Sequence, residues 1–129
     1  LFVAGFIGSP TMNFLNGDLR NGDFVTPGCH IKQIGKGSMQ NVILGVRPED
    51  MKIVENGESH IEVVLYSVEL TGDQTIVTAK LGDSDITVRE DKEYEGLIDQ
   101  SVKIKVDESK VFLFDAKTGD RIRFAGKNG

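Results

Sequence analysis

Between His60 and Val88 the chain alternates apolar and polar residues in three short runs punctuated by turn residues, and that pattern confines it to β architecture. In His60–Leu70 the apolar set Ile61, Val63 and Leu65 opposes Glu62, Val64 and Tyr66, and Val68 and Leu70 are expected to continue the first set. Thr71-Gly72-Asp73 turns the chain, Thr75–Leu81 returns, Asp83-Ser84-Asp85 turns it again, and Ile86-Thr87-Val88 makes a third strand. Successive side chains on a strand point to opposite faces, so runs of this kind at hairpin spacing predict an antiparallel sheet with one buried face. Arg89–Glu95 reads as a charged, solvated linker. Val102, Ile104 and Val106 then alternate as a fourth strand, Asp107–Lys110 forms one helical turn, and Val111–Phe114 is a fifth, more buried strand. A turn over Asp115–Gly119 leads to a last edge segment, Arg121–Phe124.

Upstream lies the segment that joins this alternating part to a glycine-rich first third. Val42, Ile43, Leu44 and Val46 form a short buried-strand pattern, with Gly45 allowing close backbone approach. Arg47-Pro48 ends it, because proline lacks the N–H that a central strand needs and biases the preceding residue toward an extended conformation. Glu49-Asp50 begin a turn. Over Met12–Ile34, Met12, Phe14 and Leu19 alternate with polar residues, while Asn16-Gly17-Asp18, Asn21-Gly22-Asp23 and Pro27-Gly28 are turn signals and Lys36-Gly37-Ser38 a closing loop. These predict a small β meander. Leu1–Gly8 has helical spacing and is stopped by Gly8-Ser9-Pro10, as at the end of a longer helix. The expected fold is all-β: a small, closed or nearly closed barrel of the OB class with a short N-terminal helical remnant and a small β extension. Residues 1–11 are expected to be a linker remnant and 12–129 the barrel domain.

Length and charge narrow the function classes. At 129 residues the chain fits one domain with one core. Lys+Arg 15 against Asp+Glu 20 gives a net charge of -5. Nucleic-acid binding depends on neutralising phosphates, so an acidic chain with no basic cluster, no tryptophan, and only Tyr66 and Tyr94 as tyrosines is a poor stacking platform. Membrane surfaces are disfavoured for the same reason, and no apolar run approaches the roughly 20 residues that span a bilayer. No direct membrane insertion is expected. A single cysteine, Cys29, excludes an intramolecular disulfide. Leu1–Gly8 lacks the basic flank and cleavage pattern of a signal peptide, and a chain that begins inside an apolar run is expected to be part of a longer one.

The residues offer little chemistry. Gly35-Lys36-Gly37-Ser38 fails the frame G-x-x-x-x-G-K-S/T, and no helix pattern follows it. Cys29, His30 and His60 are the only soft metal-ligand candidates and lack a zinc-site spacing; both histidines are expected at polar surface positions and Cys29 as a small, partly buried residue. The carboxylate pairs Glu49-Asp50, Asp83 with Asp85 and Asp107-Glu108 sit in turns, where such residues cap or solvate. No serine or cysteine lies in a nucleophile-elbow frame. The residues alone point to a small β-barrel binding or interaction module without a catalytic, metal or cofactor site.

Four segments together carry a family resemblance. Leu1–Leu15 (LFVAGFIGSPTMNFL) resembles the interdomain junction in ATP-binding subunits of carbohydrate ABC importers of the maltose/glycerol-phosphate type. Gly45-Val46-Arg47-Pro48-Glu49 is similar to that family's G-I/V-R-P-E segment. Val68–Asp73 resembles its V-E-x-L-G-x-E-T turn, with Thr71 and Asp73-Gln74 as departures, and Val111–Gly119 resembles its closing H-L-F-D-x-x-T-G, with Phe112 in the place of histidine. The resemblance implies a regulatory, TOBE-type barrel belonging to a transporter ATPase subunit. ATP and Mg would be handled by an upstream ATPase domain, and none of that domain's motifs is matched here.

It further implies a second copy of the same subunit as partner, contact with membrane permease subunits through the ATPase domain, a possible regulatory protein, and a cytoplasmic location on the inner face of the membrane. On this resemblance Gly8, Ser9, Pro10, Met12 and Asn13 are expected to form the interdomain junction, and Arg47, Pro48, Glu49 and Gly72 to shape the regulatory surface. Equally, Pro10, Pro48 and Gly72 are expected to set backbone geometry, and Arg47 to pair with a carboxylate of its own barrel. The alternative function is an oxyanion-sensing module, which requires backbone amides or basic side chains converging on a pocket.

Overall fold

The computed structural model describes residues 12–122. The expected helical remnant, Gly8, Ser9, Pro10, the residues 1–11 taken as a linker, and the last part of the terminal edge segment lie outside the described residues. What remains is β throughout, with two single 3-10 turns.

The first third is a meander of β1 (Asn13–Arg20), β2 (Asp23–Thr26) and β3 (Cys29–Ile31). Asn21-Gly22 and Pro27-Gly28 make its two-residue turns as the sequence predicts, with Arg20 opposite Asp23 and Thr26 opposite Cys29. Asn16-Gly17-Asp18 does not turn. It lies inside β1, where the pairing with the later strand Met39–Val46 shifts register between Gly17 and Leu19. A Cβ at Gly17 would stand 2.6 Å from Val25 O and 2.7 Å from the Phe24 ring, so this glycine permits close packing. The inward-facing set of β1 is accordingly Asn13, Leu15 and Leu19, while Phe14 faces the other way.

β4 (Met39–Val46) is the strand that joins the two parts of the chain, pairing antiparallel with β1 on one edge and with β10 (Phe112–Asp115) on the other. Five consecutive residues, Val42 to Val46, are buried, because both faces are covered. Val42, Leu44 and Val46 face the main core. Ile43 and Gly45 face an aromatic layer in which Phe114 meets Phe14 edge-on at 6.3 Å and stacks on Phe112 at 6.5 Å. β11 (Arg121–Ile122) extends this edge beyond β10.

The second part follows the predicted hairpins with shifted ends. β6 (Ile61–Thr71), β7 (Gln74–Leu81) and β8 (Ser84–Asp91) are joined by Gly72-Asp73 and Gly82-Asp83, so Ser84 and Asp85 already belong to a strand. A bulge between Leu65 and Ser67 re-phases β6. Val68 thereby packs against the core despite its even number, whereas Leu70 is 66% exposed near the hairpin end. β9 (Ser101–Val106) pairs with β6 and with β5 (Met51–Val54), a strand that the apolar spacing did not predict. Asp107 accepts from Ser109 N at 3.1 Å and starts the expected helical turn Glu108–Lys110.

The expected barrel is not closed by backbone. The ladder runs β11-β10-β4-β1-β2-β3-β6-β7-β8 and ends at β8. Side chains bridge the gap. Asn13 Nδ2 donates to Thr87 O at 2.8 Å and Thr87 N donates to Asn13 Oδ1 at 2.9 Å, so one side-chain amide binds β8 as a neighbouring strand's peptide would. Ile53 N donates to Glu90 Oε2 at 2.9 Å and ties β5 to the same strand. Arg89, Glu90 and Asp91 are therefore strand residues and not a solvated linker. Asn13 is only 6% exposed, so its loss leaves Thr87 groups without a buried partner. Asn13→Ala is expected to lower stability by about 1–3 kcal/mol, read from urea unfolding, and to speed hydrogen exchange at the Thr87 amide ahead of the rest of β8.

Candidate functional site

A cleft of about 510 Å³ opens where the described chain begins. Met12, Asn13 and Phe14 form one wall, Pro48 a second, and Ile76, Thr87 and Arg89 the third. Each wall follows from local sequence. Pro48 starts the 3-10 turn Pro48–Asp50 at the end of β4, with Arg47 held extended at φ -78 and ψ 148 and Asp50 N donating to Arg47 O at 2.9 Å. Ile76 and Arg89 are cross-strand neighbours on the outward face of β7 and β8. The structure thus brings Met12 and Asn13, expected at a junction, together with Pro48, expected on a regulatory surface. Glu49 joins them through Arg89, whose Nη1 lies 3.7 Å from Glu49 Oε1. Arg89 Nε is buried and has no hydrogen-bond acceptor among the described residues.

Arg47 and Gly72 stand apart from this cleft. The Arg47 guanidinium lies 5.3 Å from the centroid of Phe112, over a ring that Arg121 also covers at 4.6 Å. Among the described residues its partner is this aromatic face, and no carboxylate is paired with it. Each cation–π contact contributes about 0.5–1 kcal/mol at a site this accessible. Gly72 sits in the two-residue turn between Thr71 and Gln74 at φ +63, with open space around the position a Cβ would take. Its backbone conformation is reason enough for glycine there.

Sequence reasoning missed Arg89, Ile76 and Thr87 as wall residues. A usable signal existed. Two-residue turns on either side of β7 force β8 to match its eight residues, which carries the strand past Val88 to Asp91 and places Arg89 outward beside Ile76.

Comparison with known proteins agrees with this architecture. The model of the TOBE domain matches residues 44–114, and that of the MalK OB fold domain matches residues 8–51. The chain belongs to the TOBE domain family. Its two matches overlap on the end of β4 and the turn carrying Pro48 and Glu49. The sulfoquinovosyl glycerol transport ATP-binding protein SmoE of Agrobacterium fabrum is 35% identical over 127 residues, covering 92% of this chain and 35% of that protein. The sn-glycerol-3-phosphate import ATP-binding protein UgpC of Salmonella typhi is 31% identical over 127 residues, covering 94% and 36%. An uncharacterized ABC transporter ATP-binding protein, YcjV of Escherichia coli O157:H7, is 30% identical over 132 residues, covering 95% and 37%. This TOBE domain therefore spans about a third of the length of the relatives it matches.

The TOBE domain carries a second, larger groove of about 1000 Å³ between the meander and the start of β6, lined in part by Asp23, Cys29, His30 and His60. His30 is exposed, as expected, and its Nε2 lies 2.9 Å from Asp23 Oδ2. That bond, with a second from Gln33 N, holds the Asp23 carboxyl below its ordinary 3.8. His60 is not a surface residue: it is 8% exposed, and its Nδ1 accepts from Val106 N at 2.9 Å. Glu58 and Glu108 approach its Nε2 at 3.8 and 3.7 Å, and the three ligand atoms lie within 4.8 Å of one another. Because Nδ1 accepts the backbone N–H, the proton of the neutral ring resides on Nε2, where a metal would have to bind. The donor set therefore fits a structural clamp on β9 better than a metal centre. Cys29 is 5% exposed, and burial pushes its thiol up to about 12. At pH 8 about one thiol in ten thousand is then ionised. Cys29 is expected to resist a disulfide exchange reagent in the folded chain and to react within minutes after urea unfolding, followed by absorbance.

Proposed function

We propose that this TOBE domain is the regulatory and dimerisation domain of the ATP-binding subunit of an ABC importer for a carbohydrate or glycerol-linked solute. The observation that carries the reading is the set of relatives: proteins named as transport or import ATP-binding proteins match nearly the whole chain, which amounts to about a third of each of them. The rest of such a subunit is where ATP and Mg would be bound and hydrolysed, and where permease subunits would be met. In this reading residues 1–11 end that upstream domain, Gly8, Ser9, Pro10, Met12 and Asn13 form the junction, and 12–129 are the regulatory part.

A regulatory surface is supported by the pairing of Arg47 with Phe112. Arg47 and Arg121 gather two positive charges on one aromatic ring in a chain of net charge -5. Arginine and aromatic side chains are enriched in protein interfaces, where a planar cation and a rigid ring desolvate cheaply. A second copy, itself of net charge -5, would be attracted to such a patch, and a closed two-fold contact is the commonest arrangement of like subunits. The oxyanion-sensing alternative has less support. The cleft offers Arg89, but Glu49 and Asp85 stand beside it and disfavour an anion.

Sedimentation equilibrium of the 129-residue chain tests the reading. A reversible dimer is expected, weakened about tenfold, or ~1.4 kcal/mol, by Arg47→Glu, with circular dichroism confirming that the variant keeps its strand content. A strict monomer at high concentration overturns autonomous dimerisation.

A further inference from the structure

The sequence contains Asn-Gly at 16–17, 21–22, 56–57 and 128–129, and the fold holds the first three very differently. Asparagine is among the thermolabile residues, and glycine after it removes the Cβ that would keep the next backbone nitrogen from the carboxamide carbon. Whether the side-chain amide is lost then turns on whether that nitrogen is free to move. Asn16-Gly17 is held in the ladder of β1, opposite Ile43 and Val42, and is enclosed by Val25 and Phe24. At Asn21-Gly22 the attacking nitrogen is already engaged. Gly22 is buried, its N donates to Gly37 O at 2.8 Å, and Gln33 Nε2 donates to Asn21 O at 3.1 Å. A backbone N–H paired in this way must give up its bond before it can attack.

Asn56-Gly57 is under neither restraint. Both residues are exposed in the loop that joins β5 to β6. Among the described residues neither the Asn56 carboxamide nor Gly57 N has a hydrogen-bond partner. Beyond the flanking residues, no heavy atom lies within 4 Å of the place a Cβ at Gly57 would take. A segment with so few contacts samples other conformations at little cost.

We propose that Asn56-Gly57 is a self-modifying site at which the side-chain ammonia is lost through a cyclic imide. Hydroxide removes the proton from Gly57 N, which attacks Asn56 Cγ. The new C–N bond closes a five-membered ring, the Cγ–Nδ2 bond breaks, and ammonia leaves with a proton taken from water. Water then opens the ring. Addition at Cγ leaves an aspartate at position 56 on the ordinary main chain. Addition at the main-chain carbonyl leaves an isoaspartate, whose backbone runs through the side chain and is one methylene longer. Water is consumed, ammonia is released, and nothing is oxidised or reduced.

Both products bear on the His60 clamp. The loop then carries carboxylates at 55, 56 and 58, and Glu58 Oε1 already stands 3.8 Å from His60 Nε2. An isoaspartate also lengthens the chain two residues before Glu58, beside a ring held on β9 by Val106 N. The inference is independent of dimerisation.

The test is peptide mapping of the 129-residue chain after incubation at mildly alkaline pH. Cleavage after Arg20, Lys32, Lys52, Lys80 and Lys127 places the four Asn-Gly pairs on separate tryptic peptides. In heavy-oxygen water, mass spectrometry is expected to show Asn56 converting at least tenfold faster than Asn16 and Asn21, at a rate that rises with hydroxide. In urea the rates at Asn16 and Asn21 are expected to rise to that of Asn56, which itself changes little. Comparable rates at the three sites in the folded chain overturn the proposal, as does a tenfold rise at Asn56 on unfolding, since the loop would then be protecting it. Aged native chain is expected to show shifted NMR signals of the His60 ring, and aged Asn56→Ser none. Equal shifts in both overturn the link to the clamp.

Discussion

The architecture depends on one side chain standing in for a strand. A sheet whose ladder ends at β8 has a row of backbone donors and acceptors with no strand beside them, and burying such a row is among the more costly things a small barrel can do. Asn13 resolves this because its carboxamide carries the same two groups as a peptide, a carbonyl and an N–H, and both engage Thr87 within 2.9 Å. Glu90 performs half of that task at β5. Closure by side chains rather than by a continuous ladder leaves room between β1 and β8 for a cleft. The same residue that shuts the sheet therefore sets the position of the cleft's walls.

The second constraint is that β4 belongs to both parts of the chain. The two family matches overlap on residues 44–51, and in space this overlap is the strand end where β1 on one side meets β10 on the other, followed by the turn that hands the chain to β5. A strand with partners on both edges and cover on both faces has nowhere to place a polar side chain, which is why Val42 to Val46 contains none. The aromatic layer of Phe14, Phe112 and Phe114 provides the outer cover. It draws one ring from β1 and two from β10, so the meander and the end of the chain are bound through the residues that separate them.

Much of this was legible in the sequence where the forces are local. The turns at Asn21-Gly22, Pro27-Gly28 and Gly72 are written in residues that tolerate left-handed backbone, and the inward residues of β6, β7 and β9 are written in alternation. What failed depended on partners far along the chain. Val68 packs inward as expected, through a bulge at Tyr66, but Leu70, expected to follow it, is exposed at the hairpin end. Asn16-Gly17-Asp18 looks like a turn until Phe24 packs against the glycine. Met51–Val54 is too short to announce a strand without β9, and the charges of Arg89–Asp91 look solvated until Ile53 claims Glu90. His60 reads as a surface residue because histidine usually is one; only the approach of Val106 N–H gives it a buried role. For the candidate site, the family segment Arg47-Pro48-Glu49 could be read directly. Arg89, the partner of Glu49 across 40 residues, follows only from the register of the β7–β8 hairpin, which the charged look of Arg89–Asp91 obscures.

That short segment also shows why neighbouring residues can serve different surfaces. Pro48 is buried and turns the chain, so Arg47 and Glu49 leave it in different directions: one to the ring of Phe112 on β10, the other to Arg89 on β8. Both contacts are weak individually, a cation on a ring and an ion pair at 3.7 Å with its partners part-exposed. Their significance is geometric. A buried proline fixes the backbone between them, so the directions in which Arg47 and Glu49 leave the strand end are set together. Three consecutive residues at the end of β4 thereby contribute to both the cleft and the arginine-bearing patch, so the backbone geometry of one turn positions the two surfaces relative to each other.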